Sequence, residues 1–217
     1  MKLYLSSYRI PTPDALKQLL GKPLSQTTVA FIGNAKDYYA KRARDYKIND
    51  CVSELTALGL KVEVIDLREY DDEAELRDEL KGHDMIWAMG GNTYCLRYEA
   101  KRSGFESIIR DLLEGGMVYG GDSAGALLAG TSIAGIESAD NPAFAEEVME
   151  SGLSLVPYVV LPHVDNPEFT EAAGEVHRLH PGQDIIELTD AQAVIFDGTD
   201  FHVTERTSDP ETGTRAD

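Results

Sequence analysis

The chain has 217 residues, 42% of them hydrophobic and 27% charged, which suits one α/β domain with an ordinary buried core. Its formal net charge of −18 excludes the basic surface that binding to nucleic acid or to an anionic membrane would need. Two cysteines, Cys51 and Cys95, are too few for a disulfide framework or a zinc pattern. We expect a single domain at residues 1–205, followed by a polar tail at 206–217 that frays.

The N-terminal segment, MKLYLSSYRIPTPD, lacks the apolar core of a signal peptide. No apolar run approaches the roughly 20 residues that a membrane helix requires. These features predict a cytoplasmic protein with free thiols.

Apolar runs that suit buried strands alternate with segments of helical periodicity. The predicted strands are, in chain order, KLYLSS, TTVAFIG, KVEVIDL, DMIWAMGG, GMVYGG, YVVLPH, DIIELT and QAVIFDG. The predicted helices between the early strands are Pro13–Leu20, Asp37–Leu58, Asp72–Lys81, Thr93–Arg102 and Phe105–Glu114. In the second helix we expect four residues to fall on one face, and Gly59 to act as the C-terminal cap: these four are Tyr39, Ala43, Tyr46 and Cys51.

The rhythm of strand, helix and strand predicts right-handed crossovers and a parallel sheet that is covered on both faces. The last third reads DIIELTDAQAVIFDGTDFHVTE, which indicates strands joined by short turns in an antiparallel extension of the sheet. The sequence therefore predicts a three-layer α/β/α fold. Ligands bind beyond the carboxyl ends of such strands, and three ends carry unusual residues: WAMGGNTY, VYGGDSAGA and VVLPHVDN.

Ser123 lies in the pentapeptide GDSAG, which matches the pattern G-x-S-x-G of a nucleophile on a sharp strand-to-helix turn. Small residues at a tight turn also produce this pattern without any catalytic role. The flanking segments favour the nucleophile, because an apolar strand precedes it and a small, apolar helix start follows it. The helix would direct its first N–H groups at a developing oxyanion.

A nucleophilic serine needs a base, and the sequence offers five histidines: His83, His163, His177, His180 and His202. His163 ends the run YVVLPH, so we expect its strand to bring it to the sheet edge that carries Ser123. The other four lie in a strand-entry loop, a polar helical segment or a late strand. The sequence therefore favours His163 as the base.

The orienting carboxylate is harder to choose among 38 acidic residues. Asp190 closes a short strand before a turn, and Asp165 is nearer to the histidine in sequence. Asp122 adjoins the serine, but adjacent residues on a sharp turn point apart. Spacing alone leaves Asp190 and Asp165 open.

Four segments together resemble the dipeptidase E and cyanophycinase family of serine peptidases: GGNTY, YGGDSAGA, PHVDNPEF and ELTDAQAV. The resemblance runs from about Met1 to Gly198 and covers nearly the whole chain. GGNT and SAGA at this separation form a specific pair. The resemblance implies a fold like that of the class I glutamine amidotransferases and peptide hydrolysis without a metal or cofactor.

The family's catalytic residues fall on positions of this sequence one by one. Its nucleophile corresponds to Ser123 and its base to His163. Its third member is a glutamate, and the matching position here holds Asp190, whose side chain is shorter. The order Ser, His, Asp differs from that of the α/β-hydrolases and argues against an esterase of that fold.

The resemblance also implies the groups that surround the nucleophile. The oxyanion N–H groups would come from Ala124 and from Gly91 in the GGN turn. Asn92 would line the substrate site, and it would also serve as a helix N-cap. Asp122 lies where family members usually have an uncharged residue, so it would either attract a substrate amine or point to solvent.

One segment departs from the family. Dipeptidase E carries GETREQR after the histidine, an arginine segment linked to recognition of an N-terminal aspartate, whereas this chain has AAGEVHRLHPG. Arg178, His177 or His180 could replace it, or all three could be solvated helix residues. The preference for dipeptides with an N-terminal acidic residue is therefore an open expectation.

The sequence favours a serine peptidase that cleaves short peptides. One alternative is a cyanophycinase-like or β-aspartyl isopeptide hydrolase, and another is a non-catalytic binding protein, which Asp122 and Asp190 motivate. A glutamine amidotransferase would need cysteine at the elbow, where Ser123 stands; Cys95 reads as a small packed residue. A homodimer is left open, since no apolar stripe indicates one.

Overall fold

Alternating strands and helices build the fold, which a computed structural model describes for residues 1–206. The strands are β1 (Lys2–Ser6), β2 (Thr28–Ile32), β3 (Lys61–Ile65), β4 (Met85–Ala88), β5 (Val118–Asp122), β6 (Val159–Leu161), β7 (Ile185–Glu187), β8 (Gln192–Asp197) and β9 (Asp200–Glu205). The helices are α1 (Pro13–Leu20), α2 (Lys41–Ala57), α3 (Glu73–Leu80), α4 (Thr93–Arg102), α5 (Phe105–Glu114), α6 (Ala124–Ala129) and α7 (Thr170–Leu179). Apart from Arg206, the predicted polar tail lies outside the described residues.

Seven strands form the main sheet in the order β3-β2-β4-β5-β1-β8-β9. The first five in this order run parallel, whereas β8 is antiparallel to β1 and β9 is antiparallel to β8. The mostly parallel sheet with antiparallel C-terminal strands confirms the prediction. The carboxyl ends of β4, β5 and β1 are neighbours, so the residues that follow these three strands meet at one edge of the sheet.

Each face of the sheet has its own hydrophobic core, as expected of a parallel sheet covered by helices on both sides. On one face, Trp87 and Phe31 pack with residues of α1 and α2. On the other face, Tyr119 and Ile86 pack with residues of α3, α4 and α5. The three-layer arrangement follows from these two cores.

Helix α2 differs from its prediction at its start and in its buried face. It begins at Lys41, because residues 34–36 form a short 3₁₀ turn after β2 and Asp37 is held there by Asn34 and Arg44. The predicted shared face was wrong, because Tyr39 precedes the helix and Ala43 and Tyr46 are exposed, Tyr46 by 72%, whereas Cys51 is buried. The buried side chains of α2 are Arg44, Ile48, Cys51 and Leu55, at helical spacing.

Strands β6 and β7 also differ from the prediction. They pair in parallel with each other in a separate two-stranded sheet, instead of joining the main one. A third cluster, which includes Leu127, Leu161 and Val176, packs between α6, β6 and α7. Helix α6, which follows β5, contacts β6 of this small sheet, and His163 lies in the segment that follows β6.

Candidate active site

Ser123 occupies the sharp turn between β5 and α6. Its backbone has φ +51° and ψ −110°, a conformation that non-glycine residues rarely adopt and that clusters at functional sites. The turn is tight because α6 packs directly on β4: a Cβ at Gly125 would lie 2.1 Å from the carbonyl oxygen of Ala88. The N–H of Ser123 donates to the carbonyl of Ser6 at 3.0 Å, and Ser123 lines a cavity.

His163 lies two residues after β6, also at a positive φ of +63°. Its ring stacks on Phe169, with 4.3 Å between the ring centroids. Its Nε2 is 2.9 Å from Ser123 Oγ, and its Nδ1 is 2.5 Å from Asp190 Oδ1. The histidine ring thus bridges the serine hydroxyl and the carboxylate.

Asp190 is held in the loop between β7 and β8 by bonds that extend from the β6–β7 pair. The N–H of Leu188 donates to the carbonyl of Leu161 at 2.9 Å, and the N–H of Asp190 donates to Asp165 Oδ1 at 3.0 Å. Of the two acids left open by spacing, Asp190 contacts His163, and Asp165 supports the loop. An ionised carboxylate can only accept a hydrogen bond, so we assign the ring proton of His163 to Nδ1, which donates to Asp190. The lone pair of Nε2 then faces Ser123.

Ser7 is a member of this cluster that the sequence did not reveal. It follows β1 and is fully buried. Its Oγ donates to Asp190 Oδ1 at 2.7 Å, accepts the backbone N–H of His163 at 2.8 Å, and lies 3.2 Å from His163 Nδ1. The pairing of β1 with β5 places Ser6 opposite Asp122, so Ser7 follows its strand at the same edge as Ser123.

Gly91 and Ala124 are the predicted oxyanion donors. Gly91 has φ +152°, and a Cβ there would lie 2.4 Å from the carbonyl oxygen of Ala35. Gly91 lines the same cavity as Ser123, and Ala124 is the first residue of α6. Within residues 1–206, neither N–H donates to a backbone carbonyl. Ala124 is fully buried and is not among the residues that line the cavity, so its role as an oxyanion donor stays a prediction.

Asn92 forms hydrogen bonds within the protein and does not line the cavity. Its Oδ1 accepts the N–H of Cys95 at 3.0 Å, which caps α4. Its Nδ2 donates to the carbonyl of Asn141 at 2.9 Å, and only 3% of the residue is exposed. The geometry therefore differs from the expectation that Asn92 lines the substrate site, because both ends of its amide are already bonded.

Asp122 is buried beneath the elbow instead of facing a substrate or solvent. Its Oδ1 accepts from Trp87 Nε1 at 3.0 Å, and its Oδ2 lies 4.0 Å from Arg9 Nη1. Burial raises the pKa of this carboxyl, although Arg9 and Trp87 act in the opposite direction. The structure therefore does not bring Asp122 into the cavity wall.

Helix α7 does not bring a cation to Ser123 either. Arg178 is exposed and binds Glu175 on its own helix, and His177 binds Glu187 at 2.7 Å. His180 is buried, and its Nδ1 donates to the carbonyl of Val176 at 2.8 Å. None of these three side chains lines the cavity, so the substitutes proposed for the arginine segment lie elsewhere.

The cavity beside Ser123 and His163 has a volume of about 220 Å³. Much of its wall is apolar, from residues such as Leu127, Ile136 and Leu161. Two charged residues also line it, Lys36 and Asp140, neither of which the sequence singled out. A wider cleft of about 660 Å³ between α1 and β9 has no serine among the lining residues that the structure describes.

Asp140 comes from the loop after α6. Its Oδ2 accepts the N–H of Thr93 at 2.8 Å and the hydroxyl of Thr93 at 2.6 Å. Burial raises the pKa of Asp140, and the bonds from Thr93 together with the charges of Lys36 and His163 offset only part of this effect. A bound cation would lower that pKa again, so this position suits a positively charged group.

A serine hydroxyl, a histidine and a carboxylate in contact, at the end of a parallel strand, form the arrangement of a serine hydrolase. A model of Peptidase family S51 matches residues 5–204, and the chain belongs to this family. It is a serine peptidase of the dipeptidase E type, so its substrates are peptides. No helix within residues 1–206 has both the length and the apolar character that crossing a membrane requires.

Curated relatives carry peptidase names. An uncharacterized peptidase, Lmo0363 of Listeria monocytogenes, is 31% identical over 71% of this chain and 75% of its own length. An uncharacterized peptidase of Pasteurella multocida, PM1590, is 28% identical over 81% of this chain and 83% of its own. Peptidase E of Shewanella amazonensis is 29% identical over 60% of this chain and 53% of its own.

Two solved structures share the fold. One is a Listeria monocytogenes EGD-e protein that is provisionally named a peptidase E; its TM-score is 0.80 at 26% identity, covering 94% of this chain and 98% of that one. The other is a peptidase from an acI-B1 Actinobacterium, with a TM-score of 0.71 at 18% identity over 94% of this chain and 87% of that one. The second similarity concerns the fold alone.

Proposed function

We propose that the protein hydrolyses short peptides with a free N-terminus through an acyl-enzyme on Ser123. His163 is the general base and then the general acid, and Asp190 orients it. The observation that carries this proposal is the continuous line of contacts from Ser123 Oγ to His163 Nε2 at 2.9 Å and from His163 Nδ1 to Asp190 Oδ1 at 2.5 Å.

The reaction begins when Ser123 Oγ attacks the carbonyl carbon of the scissile peptide bond. His163 Nε2 takes the hydroxyl proton and delivers it to the leaving amine as the C–N bond breaks. Water then enters, gives a proton to His163 and attacks the ester carbonyl, which releases the acid product and restores the serine. Asp190 keeps the proton on Nδ1 and stabilises the imidazolium that forms in each step.

The N–H groups of Gly91 and Ala124 receive the oxyanion of each tetrahedral intermediate. Their lack of a backbone acceptor within residues 1–206 supports this role. Loss of one oxyanion donor costs about 2.7–4 kcal/mol of transition-state stabilisation in a well-studied serine peptidase. Neither donor can be removed by a side-chain substitution, but the Gly91 backbone depends on the absence of a Cβ.

The cavity supports a small substrate with a free amine. Its volume of about 220 Å³ is below the roughly 300–1,000 Å³ that is usual for drug-sized ligands. Asp140 lies in the same cavity wall as Ser123 and would bind the α-ammonium group of the substrate. Cleavage would then occur after the first residue of the peptide. We also propose that the enzyme prefers an acidic residue at the N-terminus of its substrate. We further propose that it acts in the cytoplasm as a homodimer.

The experiment is a hydrolysis panel of Asp-Leu, Glu-Leu, Ala-Leu and β-Asp-Leu, with N-acetyl-Ala-Leu as the blocked comparison. Wild type, Ser123→Ala and Ser53→Ala are assayed side by side; Ser53 is a serine on α2 whose hydroxyl donates to the carbonyl of Asn49. We expect turnover of free dipeptides by wild type and Ser53→Ala, and none by Ser123→Ala.

Turnover that persists in Ser123→Ala would refute the acyl-enzyme on this serine. Equal turnover of Ala-Leu and its acetylated form would refute the amine-binding role of Asp140. Turnover confined to β-Asp-Leu would instead identify an isopeptide hydrolase.

A further inference from the structure

Lys36 is the cation in the cavity wall. It ends the 3₁₀ turn Asn34–Lys36 that follows β2, and it lines the same cavity as Ser123 and Gly91. Because β2 neighbours β4 in the sheet, this turn lies beside the GGN loop that follows β4. Lys36 is therefore placed on the oxyanion side of the nucleophile.

Lys36 has no close partner within residues 1–206. No carboxylate oxygen lies within 4.0 Å of its ammonium group, and it makes no side-chain hydrogen bond. The guanidinium groups nearby differ, since Arg44 binds Asp37 at 2.5 Å and Arg9 binds Glu54 at 2.9 Å. Lys36 is half-buried, and its ammonium group is not among the fully buried polar atoms, so it keeps contact with solvent and is free to pair with an anion that enters the cavity.

The electrostatic environment agrees with this geometry. Burial lowers the pKa of Lys36, and the charge of Asp122 offsets part of the shift. The charge of Lys36 in turn lowers the pKa of Asp140 in the same cavity wall, although the two groups form no ion pair within 4.0 Å. A carboxylate that entered the cavity would supply the close partner and restore the ordinary pKa.

The backbone that carries Lys36 is fixed in place. The Asn34 side chain donates to Asp37 at 2.7 Å and to Asp66 at 2.9 Å, and it accepts the N–H of Leu67 at 3.1 Å. The carbonyl of Ala35 accepts the N–H of Asn92 at 2.8 Å, which ties the turn to the GGN loop. A rigid base of this kind is what a binding side chain needs to hold its position.

We propose that Lys36 binds a carboxylate of the peptide substrate, at a site in the β2 turn instead of on α7. The inference rests on the proposed function and names the group that reads the substrate's negative charge. Together with Asp140, it gives the cavity one cationic and one anionic position, which suits a short zwitterionic or acidic peptide. The carboxylate has two possible sources, the side chain of an N-terminal acidic residue or the C-terminus of a dipeptide.

The test uses four matched substrates: Asp-Leu, Asn-Leu, Asp-Leu-amide and Asn-Leu-amide. They carry both carboxylates, only the C-terminal one, only the side-chain one, or neither. The enzymes are wild type, Lys36→Met, Lys36→Arg and the control Lys47→Met, which removes a half-exposed lysine that lies 5.0 Å from the Tyr39 ring centroid. Thermal unfolding of each variant shows that it is folded.

We expect Lys36→Met to lower kcat/KM roughly 10- to 150-fold on substrates with the recognised carboxylate, the range for a hydrogen bond to a charged group. A loss on Asp-Leu and Asp-Leu-amide identifies the side chain as the source. A loss on Asp-Leu and Asn-Leu identifies the C-terminus. Lys36→Arg is expected to keep most of the discrimination, and Lys47→Met all of it.

An equal loss on all four substrates, or no loss on any, would overturn the proposal. Titration calorimetry measures binding without turnover, so it separates failure of the Lys36 site from failure of the proposed hydrolysis. Asp-Leu and Asn-Leu-amide are titrated into Ser123→Ala and into the double variant Ser123→Ala with Lys36→Met. If wild type hydrolyses none of the four, carboxylate-dependent binding that Lys36→Met abolishes still supports the site. The absence of such binding refutes it.

Discussion

Ser7→Ala tests the hydroxyl that the structure places behind the catalytic histidine. The change removes a donor to Asp190 at 2.7 Å and an acceptor for the His163 N–H at 2.8 Å. It leaves the cavity wall intact, because Ser7 is not among the residues that line it. We therefore expect a lower kcat with an unchanged KM.

The magnitude follows from two bonds of different exposure. A hydrogen bond to a charged group contributes about 1.5–3 kcal/mol. Because 38% of the Asp190 side chain is exposed, water can take over part of the lost bond and favours the lower end of this range. The N–H of His163 is buried and loses its acceptor outright. A loss of about 1.5–2 kcal/mol in the transition state corresponds to a kcat roughly 10- to 30-fold lower.

The assay is steady-state hydrolysis of the best dipeptide from the panel, with Ser6→Ala as the matched control. Ser6 is the preceding residue and the last of β1, is equally buried, and donates its hydroxyl to the carbonyl of Arg9 instead of to the catalytic groups. Both variants lose a buried hydroxyl and some stability, but only Ser7→Ala should lose kcat. Equal kcat losses in the two variants, or less than a twofold loss in Ser7→Ala, would refute the reasoning.

Three further changes test the elbow, the orienting acid and the loop that carries Lys36. Gly125→Ala places a Cβ 2.1 Å from the Ala88 carbonyl oxygen, so urea unfolding should show a free energy of unfolding lower by about 1–3 kcal/mol; Gly174→Ala on α7, where a Cβ meets nothing within 4 Å, should instead gain up to about 1 kcal/mol. Asp190→Asn should lower kcat by up to about 10⁴-fold, the loss recorded for the same change in another Ser-His-Asp triad, and a loss below tenfold would show that Asp190 does not fix the histidine tautomer. For Asp66, burial raises the pKa, but bonds from Arg68 and Asn34 and the charge of Arg44 outweigh it and hold the pKa well below its usual range. The ionised carboxyl therefore stabilises the folded protein at pH values above its unfolded pKa of about 3.9, and this contribution is lost as the pH falls below that value. The difference in unfolding free energy between wild type and Asp66→Asn should narrow from about pH 5 to about pH 3. A difference that stays constant over this range would contradict the reasoning.

The fold could be predicted largely from local patterns. Apolar runs and helical periodicity gave α4 and α5 at their observed bounds, and the alternation of strands and helices gave the parallel sheet. Local patterns do not show which strands pair. The run DIIELT reads as a further antiparallel strand, yet β7 pairs in parallel with β6, because partners in a sheet are chosen by packing across the whole domain.

Some residues of the site could likewise be predicted from local sequence motifs, whereas others could not. Ser123 and His163 lie in recognisable segments, and the structure brings them within hydrogen-bond distance. Ser7 and Lys36 have no motif of their own, and they reach the site only because β1 and β2 end at the edge where β4 and β5 end. Arg178 shows the opposite case, because its place after the histidine in sequence suggested a role that the geometry of α7 does not support.

Labelling with a fluorophosphonate probe tests the central claim most directly, since the probe forms a covalent adduct with an activated serine. Mass mapping of the labelled peptides distinguishes Ser123 from Ser7, whose hydroxyl lies 3.2 Å from His163 Nδ1. We predict an adduct on Ser123 in wild type, none in Ser123→Ala, and slow labelling in His163→Ala. An adduct on Ser7, or no adduct on Ser123 in a preparation that hydrolyses dipeptides, would contradict the account.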